Sequence, residues 1–204
     1  MCCIGEDMTA ENSILDLIKQ SGAMRKFNGK PVPDTAVDTI FEAAIWSLSI
    51  LGVQPWYYVY LANKEMLNDI AKLLSEQARV ESGGVDKIMA ITAEAIRSSY
   101  SMIAIYNNKV VQNRAKRLNP KYVENAHMAE LQGIGACVQN IILTLTALGL
   151  KCVWVNTPTY VKDEVNKILC EDKELLSCLL IGCSDLPPIR SKRQAKKQIY
   201  RVIR

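Results

Sequence analysis

The chain has one histidine, His127, and seven cysteines among its 204 residues, and these counts restrict its chemistry before any fold is considered. Hydrolytic triads and most zinc sites need a positioned imidazole, so every such scheme would have to run through His127. That residue stands in Glu124-Asn-Ala-His-Met-Ala-Glu130, at the opening of a helical stretch, with no serine or cysteine in a nucleophile setting beside it. It reads as a solvated or helix-capping residue. The cysteines are odd in number and scattered, and Cys137, Cys152, Cys170, Cys178 and Cys183 sit in apolar surroundings. Such a pattern suits reduced core thiols in a cytoplasmic protein better than a disulfide framework. Cys2-Cys3 lacks the second pair that a zinc or iron-sulfur site requires, so no metal is expected. Gly133-Ile-Gly135 has Val138 where a dinucleotide signature has its third glycine, and no strand directly precedes it. What remains is anion chemistry. Arg190, Lys192, Arg193, Lys196, Lys197, Arg201 and Arg204 crowd the end of the sequence, and such a cluster can meet the phosphates of a nucleic acid or of a small anionic cofactor.

The elements that must position these groups follow from periodicity. Hydrophobic residues make up 49% and charged residues 23%, an ordinary globular balance, and the length suits one domain over 1–204. Residues 1–10 are expected to be peripheral or disordered, 107–121 a polar, basic loop acting as a lid, and 186–204 a basic tail. No apolar run reaches the roughly 18 residues of a membrane span, and Glu6 and Asp7 do not suit a secretion signal. Helices are expected over 11–20, from Asp34 or Thr35 to Ser47, over 64–77, 86–98 and 160–169, with a long one from Val123 to Leu148 stopped by Gly149. The inward face of the second should carry Val37, Ile40, Phe41, Ala44 and Ile45. Strands are expected over 56–61, 101–106, 151–155 and 179–182, where branched and aromatic residues concentrate.

Four ordered segments of this pattern resemble the nitroreductase family. Met24-Arg25-Lys26-Phe27 with Lys30-Pro31-Val32-Pro33-Asp34 is similar to the family's Arg-Arg-Ser-x-Arg-x-Phe opening and proline turn. Glu42-Ala-Ala-Ile-Trp-Ser-Leu-Ser49 with Gln54-Pro55-Trp56 is similar to its Ala-Pro-Ser-x-x-Asn-x-Gln-Pro-Trp. Leu131-Gln132-Gly133, Gln139-Asn140 and Ala147-Leu-Gly-Leu150 followed by Trp154 match a long central helix and the strand after it. Leu180-Ile-Gly-Cys-Ser-Asp-Leu-Pro-Pro188 with Lys192-Arg193 is similar to a closing turn and basic pair. The chain departs from the pattern at Gly22 and Ala23, where the family has Arg-Ser, and at Leu48 and Gly52, where it has proline and asparagine.

The resemblance implies an α+β, three-layer sandwich with a central mixed, mostly antiparallel sheet, helices on both faces and an intertwined homodimer. It implies flavin mononucleotide (FMN) as cofactor, NAD(P)H as co-substrate, and a small electron-poor acceptor such as a nitroaromatic or quinone. By the same resemblance Arg25, Lys192 and Arg193 would meet the FMN phosphate, Ser49 the ring, and Gln132 and Gly133 the cofactor's flank. Asn156, Thr157 and Pro158 would run beside the ring, with Thr157 as the donor near N5. The Thr-Pro pair equally suits a turn that caps the following helix. The flavin would carry the chemistry, so no side-chain nucleophile is required. Gly22, Ala23 and Gly52 leave open a flavin-binding or regulatory module with little turnover. Nucleic-acid binding is disfavoured because no aromatic stacking platform accompanies the charge.

Overall fold

The computed structural model describes residues 14–195, 198–199 and 201–203. Cys2, Cys3, the first residues of the expected 11–20 helix and part of the basic tail, including Lys196 and Lys197, lie outside them.

Four strands form one sheet in the order β1 (Trp56–Leu61), β2 (Ser101–Asn107), β4 (Glu174–Gly182), β3 (Lys151–Val155). All three neighbouring pairs are antiparallel, from Trp56↔Asn107 and Leu61↔Met102 in the first to Val155↔Cys178 and Lys151↔Gly182 in the last. A parallel contact is added where Ala23 bridges Cys152, at the open side of β3. β2 and β4 lie in the middle, and every residue of β2 is buried. A strand covered on both faces has no reason to alternate polar and apolar residues, which accounts for the unbroken Met102-Ile-Ala-Ile-Tyr106.

The two faces bury two separate cores. On one, α3 (Lys64–Gln77), α4 (Val85–Ser98) and α7 (Lys162–Leu169) cover Met102, Ala104, Tyr106, Val153, Cys178 and Leu180. On the other, α2 (Asp34–Ile45) and α6 (Val123–Ala147) cover Trp56, Ile103, Ile105, Cys152, Leu179 and Ile181. Each fully buried Leu or Ile in these layers contributes about 1.5 to 3 kcal/mol. The α+β three-layer sandwich is as anticipated. In α2, Ile40 and Ala44 are buried and Val37 and Phe41 pack against them, whereas Ile45 turns outward at 48% exposure. α6 is long and apolar enough by composition to cross a membrane, yet it lies against α2 and the sheet as the helix of the second core. Its Cys137 thiol donates to Ala44 O at 3.0 Å, and Asn140 Nδ2 donates to Ser47 Oγ at 2.7 Å. No disulfide joins the five described cysteines, and burial pushes the thiols of Cys152 and Cys178 up to about 12.

Two expectations need correction. The stretch 107–121 is not an open loop, because Val110–Leu118 forms helix α5 and Pro120–Tyr122 a 3-10 turn. The strand placed at 179–182 begins at Glu174, and its pairing slips between Ile105 and Tyr106 of β2. The apolar stripe read in the first helix does exist on α1 (Ile14–Gln20), but none of its residues is buried among the described residues, and Ile14 is 73% exposed.

Candidate functional site

The segment carrying Arg25 is held by the two chain regions that flank it. Met24 N donates to Cys152 O at 2.8 Å, and Ile189 N donates to Ala23 O at 2.9 Å. Residues near both ends of the chain therefore close on β3. Gly22 lies so tightly against this crossing that a Cβ there would stand 2.9 Å from Pro188 Cβ. This contact gives a physical reason for glycine where the family pattern has a long side chain. Gly22→Arg should cost about 1 to 3 kcal/mol by overpacking a rigid ring. A lowered melting temperature without tighter anion binding is the expected outcome, and a gain in FMN affinity at unchanged melting temperature would contradict it.

Arg25 and Lys26 form one rim of a cavity of about 900 Å³. Its floor is the end of β3 and the 3-10 turn Thr157–Val161, contributing Trp154, Asn156 and Thr157. The Trp154 indole donates to Ser177 Oγ at 2.7 Å, which orients a half-exposed ring. The turn is tied by Thr159, whose N and Oγ1 donate to Asn156 O at 3.0 and 2.7 Å. Thr157 is only 7% exposed, and its hydroxyl has no hydrogen-bond partner. It does not cap the turn. A buried hydroxyl left unpaired costs about 1 to 3 kcal/mol; the oxygen itself is closed to solvent, so a ligand in the cavity would pair with it only after the turn shifts to uncover it. The opposite wall is apolar, built from Ile88 and Ile91 of α4 and from Leu186 and Ile189.

Ser49 and Gly133 form a second cluster. A Cβ on Gly133 would meet Ser49 Cα at 3.4 Å, an ordinary contact distance, so the Ser49 segment packs directly on α6 at this point. Ser49 Oγ accepts from Gln54 N at 3.1 Å and keeps its proton free to donate elsewhere. The connecting loop is tightly wound, with Leu51 at φ 52° and Gln54 at φ 51°, both in the left-handed region. Leu48 and Leu51 stand 89% and 78% exposed in it.

Of the residues singled out by sequence, Arg25, Asn156 and Thr157 share the cavity, with Pro158 buried next in the chain. Ser49, Gln132 and Gly133 do not line it; Gln132 is exposed beside the buried Gly133 on α6. Lys192 and Arg193 are also exposed and outside the lining, following Ile189 in the chain. Sequence reasoning missed Lys26 and the α4 wall. Ile88 and Ile91 are three residues apart on a helix face at 57% and 50% exposure, and that apolar pair opposite the core stripe was the available signal. His127 lies half-buried on α6 with Nδ1 unpartnered, away from this cavity's lining.

A three-layer sandwich with the cavity at the end of its edge strand, and with the Ser49 segment packed on Gly133 of its long helix, defines a nitroreductase-like architecture. The family model described as Nitroreductase family matches residues 18–183, and the chain belongs to that family. A Methanothermobacter thermautotrophicus protein with the provisional name NADH dehydrogenase/NAD(P)H nitroreductase is 24% identical over 141 residues. The match takes in 69% of this chain, and the chain spans 59% of that relative's length. Among solved structures, nitroreductase CinD from Lactococcus lactis in complex with chloramphenicol superposes with a TM-score of 0.79 at 16% identity, covering 94% of this chain and 100% of that one. The NADPH:FMN oxidoreductase of Vibrio harveyi, complexed with NAD+, gives 0.73 at 19% identity over 95% and 78%. A protein provisionally named nitroreductase from Desulfovibrio desulfuricans, in complex with FMN, gives 0.72 at 20% over 95% and 99%. At these identities the likeness is one of fold.

Proposed function

We propose that this chain is an FMN-dependent oxidoreductase that uses NAD(P)H to reduce an electron-poor acceptor such as a nitroaromatic or quinone, acting as a cytoplasmic homodimer. The observation that carries the reading is the unpartnered Thr157 hydroxyl on the floor of a cavity whose rim is Arg25. An exposed guanidinium and an unpartnered buried hydroxyl among the residues of one cavity suit a ligand with an anionic end and a polar ring. Bound FMN would supply the two-electron chemistry, accepting hydride from a reduced nicotinamide and delivering it to the acceptor.

The protein's part is to bind, orient and exclude water. Arg25 would hold the phosphate, with Lys192 and Arg193 supplied by the strand of tail that Ile189 anchors beside it. Thr157, on a turn braced by Thr159, would donate to the ring edge, with Asn156 and Pro158 beside it. Ser49, Gln132 and Gly133 lie apart from the cavity, so within one chain they cannot contribute; a second copy facing the first would bring its Ser49 to the ring. The uncovered apolar residues of α1, Leu48 and Leu51 are surfaces that such a copy would bury.

Titrating the full-length protein with FMN, followed by quenching of flavin fluorescence, tests the reading. Saturable binding is expected, weakened about 10-fold or more by Arg25→Ala, with the folding transition unchanged. No association at high FMN and low salt would remove the flavin reading. The tight Gly22–Pro188 packing, which shuts out one family phosphate ligand, favours a second reading, a flavin-binding or regulatory module with little turnover. Steady-state NAD(P)H oxidation with a quinone separates the two.

A further inference from the structure

Helix α5 and the turn after it carry Arg114, Lys116, Arg117 and Lys121 and no acidic residue. The whole chain has 25 basic and 21 acidic residues, so 25 less these four equals the 21 acidic ones, and this short segment holds charge equal to the entire net +4. Lys109 before the helix is paired with Glu174 at 3.6 Å, and the Lys121 ammonium sits over the Tyr122 ring at 4.9 Å. Arg114, Lys116 and Arg117 are exposed and have no ion pair among the described residues. Ordinary solvated helix faces intersperse both signs. Attraction to the helix C-terminus accounts for Lys116 and Arg117 in the last turn but not for Arg114 a turn earlier.

The helix is also held firmly in one place. Glu130 of α6, fully buried, accepts from Val111 N at 2.6 Å and from Gln112 N at 3.3 Å, supplying the cap that α5's own flanking residue does not. Its other oxygen accepts from Asn107 Nδ2 at 3.1 Å. Three residues further along α6, on the same side of the helix, is Gly133 with Ser49 against it. The basic helix is thus fixed about one turn of α6 from Gly133 and Ser49, the residues that the flavin reading assigns to a partner's ring.

We propose that Arg114 and Arg117, one turn apart on the same face of α5, form a docking surface for the phosphate-bearing adenosine half of the co-substrate and select NADPH over NADH through its 2′-phosphate, with Lys116 adding to the local positive potential. This rests on the oxidoreductase reading above and adds the co-substrate class to it. Guanidinium groups take a phosphate dianion with paired hydrogen bonds that the 2′-hydroxyl of NADH cannot return.

The test uses the protein of this sequence and its triple variant Arg114→Gln, Lys116→Gln, Arg117→Gln. Calorimetric titration compares 2′,5′-ADP with 5′-AMP, a readout that needs no flavin. The wild type should bind 2′,5′-ADP about 10-fold or more tightly than 5′-AMP, with an affinity that falls as salt rises, and the triple variant should lose that difference. With FMN loaded, the variant's KM for NADPH should rise about 10-fold, with kcat and FMN affinity unchanged and NADH little affected. Equal binding of the two nucleotides to wild type overturns the proposal, as does single-stranded DNA that binds this surface in preference to 2′,5′-ADP. If FMN fails to bind while 2′,5′-ADP discrimination persists, the flavin reading falls and the phosphate surface stands; the reverse pattern removes the surface alone.

Discussion

Thr157→Val is expected to lower turnover about 100-fold while leaving the protein at least as stable as before. The two effects have opposite signs because the hydroxyl contributes nothing to the free fold. It is buried at 7% exposure and bonds to no protein atom, so a valine of nearly the same shape removes an unsatisfied group and gains up to about 1 kcal/mol. Once ligand binding uncovers it, the same hydroxyl would become a donor to the ring, and deleting one such donor in a water-excluded site typically costs 100-fold or more. Chemical denaturation and steady-state NAD(P)H oxidation, run on one preparation, read both numbers. A variant that keeps wild-type turnover would show the hydroxyl to be idle. A variant that loses stability would show that it has a structural partner after all.

Glu130→Ala should destabilise the protein by about 2 to 3 kcal/mol, and the loss should be concentrated at α5. The mutation strands Val111 N and Gln112 N, while Asn107 Nδ2 retains only its 3.3 Å contact to Glu174. Donors that lose a buried acceptor cost about 1 to 3 kcal/mol each, less whatever water recovers. Lys109, at φ 54°, offers no side-chain cap in its place. The denaturation midpoint should fall, amide exchange should accelerate across Val110–Leu118, and the strands should stay protected. A change below about 0.5 kcal/mol, within the range of an ordinary surface substitution, would mean that Val111 and Ala115 hold the helix without the cap. Glu130→Gln keeps one acceptor oxygen and should lose much less.

The same residue explains where reading the sequence failed. α5 has no apolar stripe strong enough to announce a helix, and its stability comes from a cap contributed by α6, which no local pattern can reveal. β4 began too late in the sequence reading because Leu175-Leu176-Ser177 does not alternate; a strand buried on both faces and carrying a register slip hides its own period. β1 and β3, at the sheet edges, and α3, whose Asn63 side chain accepts from Met66 N, were legible to the residue because local propensity, turn and cap agree there. Within the candidate site, Arg25, Asn156 and Thr157 could be named because each lies beside a recognisable strand or proline turn. Their meeting in one cavity depends on Ile189 and Ala23 pairing across nearly the whole chain, and the α4 wall depends on which helix lands opposite. Ser49 and Gly133 could be named individually, but that they touch each other rather than the cavity is a fact of packing.

The pairing of Ala23 with Ile189 also has a consequence for biosynthesis. Because the Arg25 segment is braced by residues translated long after it, a nascent chain can build both cores' helices and all four strands before Ile189 is there to close on Ala23. On the flavin reading, chains released before residues around 189 have emerged should therefore fold in part, held by the Met24–Cys152 bond alone at this crossing, and retain less FMN than the whole chain.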